Sequence, residues 1–268
     1  MAKIIALTGK GGVGKTTICS AFVRILGEKY PDARILAIDA DPAVGLSTAL
    51  GVTVQKTLDD LRREIIDLAA SGAGREAVEM LGEVRYRIFD ALVEMPGFAF
   101  LAIGRPEGAG CYCAVNAYLK EVIEMISRDF DYVVIDGEAG IEQINRRVME
   151  QVDLLYLVSD ASKKGLQVAA SIYEVAKELV QFEKCGLILN RVEDSELLSS
   201  VAGAPEGKLF AMPKELAKPL VVIPGDPAHA KNDVLGKSIF ELPADSPVLS
   251  GAAKALLYYQ EAAAKWLK

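Results

Sequence analysis

Short runs of apolar residues alternate along the chain with stretches in which apolar residues recur every three or four positions. Short apolar runs are typical of strands buried on both faces of a parallel sheet, and the periodic stretches are typical of helices packed on it. The pattern therefore predicts an α/β fold, a doubly wound, mostly parallel sheet with helices on both faces. The predicted strands are 4–7, 34–39, 98–103, 131–136, 154–158, 186–189 and 220–223.

The helical pattern is clearest in four regions between and after these strands. Thr57 precedes a helical run that extends to about residue 87 and is broken near 72–74, and the acids that follow Thr57 suit a helix start. Apolar residues at 115, 119, 122, 123 and 126 predict a second helix, and 165–180 a third. The last stretch, 252–268, is apolar nearly all round, which favours a packed final helix over a membrane anchor.

Composition and charge narrow the classes of protein to consider. No linker rich in proline, glycine or serine interrupts the 268 residues, so we expect a single domain over 1–268. The net charge of −7 disfavours nucleic acid as a partner. The first predicted strand begins close to the N-terminus and no apolar run is long enough to span a bilayer, so we expect a cytoplasmic protein without stable membrane insertion.

A glycine-rich stretch stands directly between the first strand and the first helix. It reads Gly9-Lys10-Gly11-Gly12-Val13-Gly14-Lys15-Thr16-Thr17 and fits the phosphate-loop pattern G-x-x-x-x-G-K-[ST]. In such a loop, backbone N–H groups and the helix dipole bind an anion. Lys15 should lie along the β- and γ-phosphates of ATP or ADP, and the Thr16 hydroxyl should bind Mg²⁺.

The second lysine of the loop, Lys10, makes the stretch resemble the variant phosphate loop of one ATPase family. That family includes the nitrogenase iron protein, the ParA and MinD partition ATPases and several metal-insertion ATPases. The resemblance implies ATP hydrolysis in a homodimer, in which Lys10 reaches the nucleotide of the partner subunit. A cation in that place would stabilise the charge of the transferring phosphoryl group, as an arginine finger does.

Two strand ends carry acids that resemble the switch segments of this family. Asp39-Ala40-Asp41-Pro42 is similar to switch I, which implies that Asp41 orients the attacking water and Asp39 supports it. Asp136-Gly137-Glu138-Ala139-Gly140 is similar to switch II. That likeness implies that Asp136 holds Mg²⁺ through water, and that the Gly140 N–H senses the γ-phosphate.

Two further strand ends resemble the adenine pocket of the family. Asn190 and Arg191 follow one strand, and Pro224 and Asp226 lie at the end of the next. The amide of Asn190 carries a donor and an acceptor, which suits the N6 and N7 edge of adenine. The single histidine, His229, is more typical of a loop or cap position, and we assign it no role.

The pair Cys111 and Cys113 falls between the two switch segments, at or just before a predicted helix start. Thiophilic divalent metals favour four ligands, and the chain offers only two nearby thiols. A twofold dimer would complete a Cys₄ site, which predicts Ni²⁺ or Zn²⁺ bridging two subunits. Cys19 and Cys185 fall in a helix on the sheet and beside a buried strand, and both are predicted to be core residues.

With this cysteine pair the chain resembles, more narrowly, the CooC/AcsF type of ATPase. The resemblance implies an accessory ATPase, or metallochaperone, that assists nickel insertion into carbon monoxide dehydrogenase or acetyl-CoA synthase as its client. Two alternatives stay open: a MinD/ParA-like positioning ATPase, and an ATPase that carries an iron–sulfur cluster on the same thiolates, as the nitrogenase iron protein does.

Overall fold

The structure is a computed structural model that describes residues 2–41, 45–71, 87–104, 121, 123–137, 151–193, 212–216 and 218–261. Its strands form one eight-stranded sheet in the order β3-β4-β2-β5-β1-β6-β7-β8. Every adjacent pair is parallel except β3 and β4, which are antiparallel. The strands are β1 Lys3–Gly9, β2 Ile35–Asp39, β3 Leu92–Met95, β4 Phe98–Ala102, β5 Tyr132–Asp136, β6 Gln151–Ser159, β7 Gln181–Val192 and β8 Val221–Pro224.

Helices cover both faces of this sheet, so the predicted doubly wound α/β fold is confirmed. The described helices are α1 Lys15–Lys29, α2 Gly45–Leu50, α3 Leu58–Ala70, α4 Lys163–Leu179, α5 Pro227–Val234 and α6 Pro247–Glu261. Residues 123–127 are also helical, and short 3₁₀ turns occur at Ile88–Asp90, Lys214–Leu216 and Ile239–Glu241.

Local sequence signals explain where several helices begin. The Thr57 hydroxyl accepts a hydrogen bond from the N–H of Asp60, and the Asp60 carboxylate accepts one from the N–H of Thr57, which is a capping box. Ser162 caps α4 by accepting from the N–H of Gly165. Asp226 caps α5, in which Pro227 stands in the first turn. These caps satisfy backbone donors that have no partner within the helix.

The core lies in two layers, one on each face of the sheet. On one face α1 and α6 pack together over the central strands, where the rings of Phe22 and Tyr156 meet edge to face at 5.2 Å. The Tyr156 hydroxyl donates to the carbonyl oxygen of Ala255 at 2.8 Å. On the other face α3, α4 and the 123–127 helix cover the sheet. Buried Ala252, Ala255 and Leu256 confirm a packed final helix as far as residue 257.

All the predicted strands are present, and β6 and β7 are longer than predicted. The short edge strand β3 was not predicted, because its side chains are only partly buried and give no apolar run. It pairs with β4 through a tight turn in which Gly97 has φ 86°. In the part of the chain that the structure describes, no helix is long and apolar enough to cross a bilayer. That 1–268 forms a single domain stays a prediction.

Candidate functional site

The glycine loop joins β1 to the first turn of α1 at the carboxyl edge of the sheet. Gly9, Gly12 and Gly14 have φ values of 151°, 79° and 91°. A Cβ atom at Gly9 would collide with the carbonyl oxygen of Val158, and one at Gly14 would collide with the amide nitrogen of Asn190. The glycines at these two positions are therefore required by backbone conformation and by close neighbours. The loop leads into the helix N-terminus, where N–H groups are free to bind an anion.

The two lysines of the loop occupy different surroundings. Lys15 is 7% exposed, and its Nζ donates to the carbonyl oxygen of Lys10 at 3.3 Å, so the side chain folds back over the loop. Lys10 is more exposed, and its Nζ lies 3.3 Å from Oδ2 of Asp160, just after the end of β6. Lys15 is thus placed to contact a phosphate bound by its own loop, whereas Lys10 forms a partly exposed ion pair beside that loop.

Asp39 ends β2 beside the loop and is fully buried. Its carboxylate accepts hydrogen bonds from the N–H groups of Asp41 at 3.0 Å and Leu46 at 2.8 Å. Burial raises the pKa of Asp39 to about 6, against the lowering effect of these hydrogen bonds. Asp39 therefore holds the chain on both sides of 42–44, and its supporting role in catalysis stays a prediction.

Asp136 ends β5 and lies in register with Asp39 on one side and Leu7 on the other. It is 1% exposed, and neither of its carboxylate oxygens accepts a hydrogen bond of normal geometry from any described residue. Burial raises the pKa of Asp136 to about 7, although the Thr16 hydroxyl and the Lys15 ammonium lower it. A buried carboxylate that lies beside a hydroxyl, and that accepts no hydrogen bond of normal geometry among the described residues, fits the oxygen ligands that Mg²⁺ prefers.

The remaining switch residues are only partly described. Asp41 follows Asp39 and is half-buried, close to the Asp39 and Asp136 carboxylates. Pro42 and Gly140 lie outside the described residues, so the γ-phosphate contact of Gly140 stays a prediction. The structure thus brings Lys15, Thr16, Asp39, Asp41 and Asp136 together at one edge of the sheet.

A groove of about 690 Å³ opens beside the loop where β7 and β8 end. Among the residues lining it are Thr17, Asn190, Arg191, Pro224 and Asp226, so the residues predicted for the adenine pocket do lie together. Asn190 is 2% exposed, and its Oδ1 has no hydrogen-bond partner among the described residues. This oxygen is an acceptor that suits an amino group such as N6 of adenine.

Asp226 is already engaged in the fold. Its carboxylate accepts from the N–H of His229 at 3.0 Å and from the hydroxyl of Ser246 at 2.5 Å. It therefore joins the start of α5 to the chain before α6, and a direct contact with the nucleotide stays a prediction. Pro224 ends β8 without a side-chain donor, and packing on the base is the only contact predicted for it.

A second cavity, of about 360 Å³, separates the start of α1 from α2 and α5. The sequence did not predict this cavity, because α5 is short and mostly polar and gave no helical pattern. His229 lines both cavities. Burial lowers the pKa of His229, although Asp233 and Asp226 raise it, so its imidazole is largely neutral at pH 7. The residues that line the second cavity include Thr16, Thr17, Ser20, Gly45, Thr48, His229, Asn232 and Lys237.

Cys111 and Cys113 lie outside the described residues, so the predicted metal site stays a prediction. Within the ranges described above, no group of three or more histidine, cysteine or acidic residues could hold a metal ion. Cys19 is fully buried, and Cys185 packs partly buried against the core, as predicted for both. Burial raises the pKa of both thiols, so neither is a ready thiolate.

A glycine loop that follows a strand and leads into a helix N-terminus, beside a buried carboxylate, defines the class of P-loop nucleotide-binding proteins. Residues 4–234 match the family described as the CobQ/CobB/MinD/ParA nucleotide binding domain. The chain belongs to this family, and it is a P-loop ATPase, as the sequence predicts.

Individual relatives cover most of the chain. An uncharacterized ATP-binding protein of Methanocaldococcus jannaschii is 38% identical over 249 residues, which are 91% of this chain and 93% of that protein. The carbon monoxide dehydrogenase accessory protein CooC of Rhodospirillum rubrum is 33% identical over 220 residues, which are 74% of this chain and 82% of CooC. Among solved structures, the septum site-determining protein MinD of Pyrococcus horikoshii, complexed with Mg-ADP, has a TM-score of 0.68 at 23% identity, with 100% of both chains covered. This last likeness concerns the fold.

Proposed function

We propose that the chain is an accessory ATPase that assists nickel insertion into a nickel-containing carbon monoxide dehydrogenase or acetyl-CoA synthase. The observation that carries this proposal is the 33% identity to a carbon monoxide dehydrogenase accessory protein, together with the closely spaced pair Cys111 and Cys113. In this proposal the protein works as a homodimer that depends on both nucleotide and metal.

ATP hydrolysis in this proposal uses the residues gathered at the carboxyl edge of the sheet. Lys15 and the loop N–H groups bind and orient the phosphates, and Asp41 orients the attacking water. Thr16 and Asp136 would hold Mg²⁺, which neutralises charge on the β- and γ-phosphates when bound. The buried oxygens of Asp136, which accept no hydrogen bond of normal geometry among the described residues, support this assignment, because a divalent cation would stabilise their charge.

Hydrogen bonds join the ATP site to the exit of β4, from which the sequence continues toward the cysteines. The N–H of Ile103, at the exit of β4, donates to the carbonyl oxygen of Asp39 at 2.9 Å. The carbonyl oxygen of Ile103 in turn accepts from the N–H of Asp59 at 2.9 Å. A change at Asp39 on γ-phosphate binding can therefore move the chain that continues from Gly104 toward Cys111. By linkage, a metal held by those cysteines would then strengthen ATP binding by the same factor that ATP strengthens metal binding.

Anaerobic equilibrium dialysis with Ni²⁺ and with Zn²⁺ tests this proposal, on protein that is nucleotide-free, loaded with ADP, or loaded with ATP. We expect one metal ion per dimer, bound roughly 5- to 150-fold more tightly in one nucleotide state than in another. Cys111→Ser and Cys113→Ser should each lose the metal and keep nucleotide binding, whereas Cys185→Ala serves as a matched thiol control. One metal per monomer, or equal affinity in all three states, would contradict the bridging mechanism.

A second experiment addresses the client. Nickel-free carbon monoxide dehydrogenase is incubated with the nickel-loaded protein and ATP, and its activity is followed. We expect activation that the Cys111→Ser protein does not give. Activation by free Ni²⁺ at the same rate would count against an insertion role.

A positioning ATPase is the second candidate, because the matched family is described by the names MinD and ParA as well. In that case the end of the chain would bind membrane, although α6 packs on α1 and β8 as far as residue 257. Sedimentation with anionic liposomes in the presence of ATP separates the two functions. The iron–sulfur alternative predicts strong visible absorbance in an anaerobic preparation. Nickel or zinc bound to thiolates would absorb more weakly in this range.

A further inference from the structure

Two side chains at the end of β7 donate hydrogen bonds to the phosphate loop. Nδ2 of Asn190 lies 2.9 Å from the carbonyl oxygen of Val13, and Nη1 of Arg191 lies 3.2 Å from the carbonyl oxygen of Gly12. The pairing of β7 with β8 is irregular between Leu189 and Val192. Asn190 and Arg191 therefore depart from the regular ladder where they meet the loop.

The backbone of Arg191 has a φ of 58°. Among the residues that the structure describes, it is the only one other than glycine with a positive φ. This left-handed conformation is uncommon for residues with a side chain, and it persists where the surroundings enforce it. Here it directs successive side chains, Asn190 and Arg191, toward the same loop.

The two bonds control the direction of loop carbonyl groups. A phosphate loop binds anions through its N–H groups, so a carbonyl oxygen that turned toward the phosphates would repel them. Gly12 has φ 79° with open space around its Cα, so its own sterics do not fix the orientation of its peptide groups. Hydrogen bonds from outside the loop supply that restraint, because they hold the oxygens of Gly12 and Val13 on the side of β7.

We propose that Arg191, with Nδ2 of Asn190, is a positioning residue that holds the tip of the phosphate loop ready for polyphosphate. Its contribution to affinity then depends on the phosphates and not on the base, which differs from the adenine-pocket role predicted for it. This inference requires nucleotide binding only and is independent of nickel.

The experiment compares Arg191→Gly, Arg191→Lys and the unmodified protein. Glycine adopts the φ of this position without strain, so Arg191→Gly removes the side chain and favours the same backbone. Arg128→Ala, before the amino end of β5 at the opposite edge of the sheet, controls for the loss of one exposed positive charge. Affinity is measured for ATP, for GTP and for tripolyphosphate, which has no base, and amide hydrogen exchange of residues 12–15 is measured by NMR without any ligand.

For Arg191→Gly we expect about tenfold weaker binding, because one charge-assisted hydrogen bond is lost. The factor should be the same for ATP, GTP and tripolyphosphate. The loop amides should exchange faster in the ligand-free protein, and Arg191→Lys should recover part of both effects. A loss confined to ATP would overturn the proposal, since it would place Arg191 on the base. Unchanged exchange with weaker tripolyphosphate binding would also overturn it, because Arg191 would then contact phosphate directly.

Discussion

Asp136 shows how a single buried residue can be costly for folding and suited to binding a cation. Its carboxylate is buried at the end of β5, has no hydrogen-bond partner of normal geometry among the described residues, and has a pKa raised to about 7 chiefly by burial. A buried charge without a partner destabilises a fold unless it takes up a proton or a cation. The same property makes the site favourable for Mg²⁺ once ATP is bound.

We predict that Asp136→Asn raises the melting temperature of the metal- and nucleotide-free protein and abolishes Mg²⁺-dependent ATP hydrolysis. The pKa of Asp136 is higher in the fold, about 7, than the ordinary 3.8, so the folded state holds more protons between these values. Stability of the unmodified protein should therefore fall as pH rises from about 4 through 7, and the Asn variant should show a smaller decrease, because Asp39, with a pKa of about 6, still contributes.

Thermal unfolding at pH 5 and pH 8 in EDTA measures this difference, with the exposed Asp245→Asn as a control. The gap in melting temperature between Asp136→Asn and the unmodified protein should be wider at pH 8. A gap of the same size at both pH values would show that ionisation of Asp136 does not destabilise the fold.

At the scale of elements, the start of α3 is tied to the exit of β4. The Thr57 hydroxyl accepts from the N–H of Asp60 at 3.2 Å and donates to its carboxylate at 2.7 Å. Gly104, with φ 84°, passes so close to Thr57 that a Cβ atom there would lie 2.6 Å from the Thr57 hydroxyl oxygen. The cap therefore fixes the helix start and lies against Gly104, at the exit of β4.

We predict that Thr57→Ala lowers the free energy of unfolding by about 1 kcal/mol, within the range of about 0.5–2 kcal/mol for loss of an N-cap. Thr57→Ser keeps the hydroxyl and should cost much less. Urea unfolding followed by circular dichroism measures both. Equal losses in the two variants would show that the methyl group, and not the cap, carries the effect.

At the scale of the whole molecule, Lys10 is a residue of the phosphate loop whose side chain pairs with a carboxylate outside that loop. Its ammonium pairs with Asp160 across the ends of β1 and β6, with both side chains about one-third exposed. If Lys10 reaches the phosphates of a partner subunit, as its position in the variant loop implies, it must leave Asp160. The ion pair would then oppose dimer formation, by up to about 1 kcal/mol for a pair at the surface.

We predict that Lys10→Ala keeps ATP binding by the monomer nearly unchanged and weakens the ATP-dependent dimer. Asp160→Asn should strengthen the dimer up to about 30-fold, because it releases Lys10 from one ion pair in each of the two subunits, and it retains an amide oxygen that can accept from Ser162. Light scattering over a range of protein concentrations in ATP measures the dimer fraction. Identical dimer fractions for the three proteins would exclude a contact of Lys10 with the partner.

The sequence by itself determined seven of the eight described strands, the phosphate loop, the acids that end β2 and β5, and the cap of α3. These features depend on neighbouring residues: apolar runs, glycine spacing and a capping pair leave a local pattern. Even the meeting of Asp39 with Asp136 was predictable, since the ends of parallel strands meet at one edge.

The tertiary structure alone decided the strand order, the antiparallel edge strand β3, the second cavity beside His229 and the contacts of Asn190 and Arg191 with the loop. The contact of Asn190 with Val13 joins residues 177 positions apart, and that of Arg191 with Gly12 joins residues 179 apart. Such contacts leave no local pattern in the sequence. They depend on which strands become neighbours, and on how the irregular pairing at the end of β7 directs the side chains of Asn190 and Arg191. Sequence reasoning could place Asn190 and Arg191 at the right edge of the sheet, but the direction of their donors is a property of the packed chain.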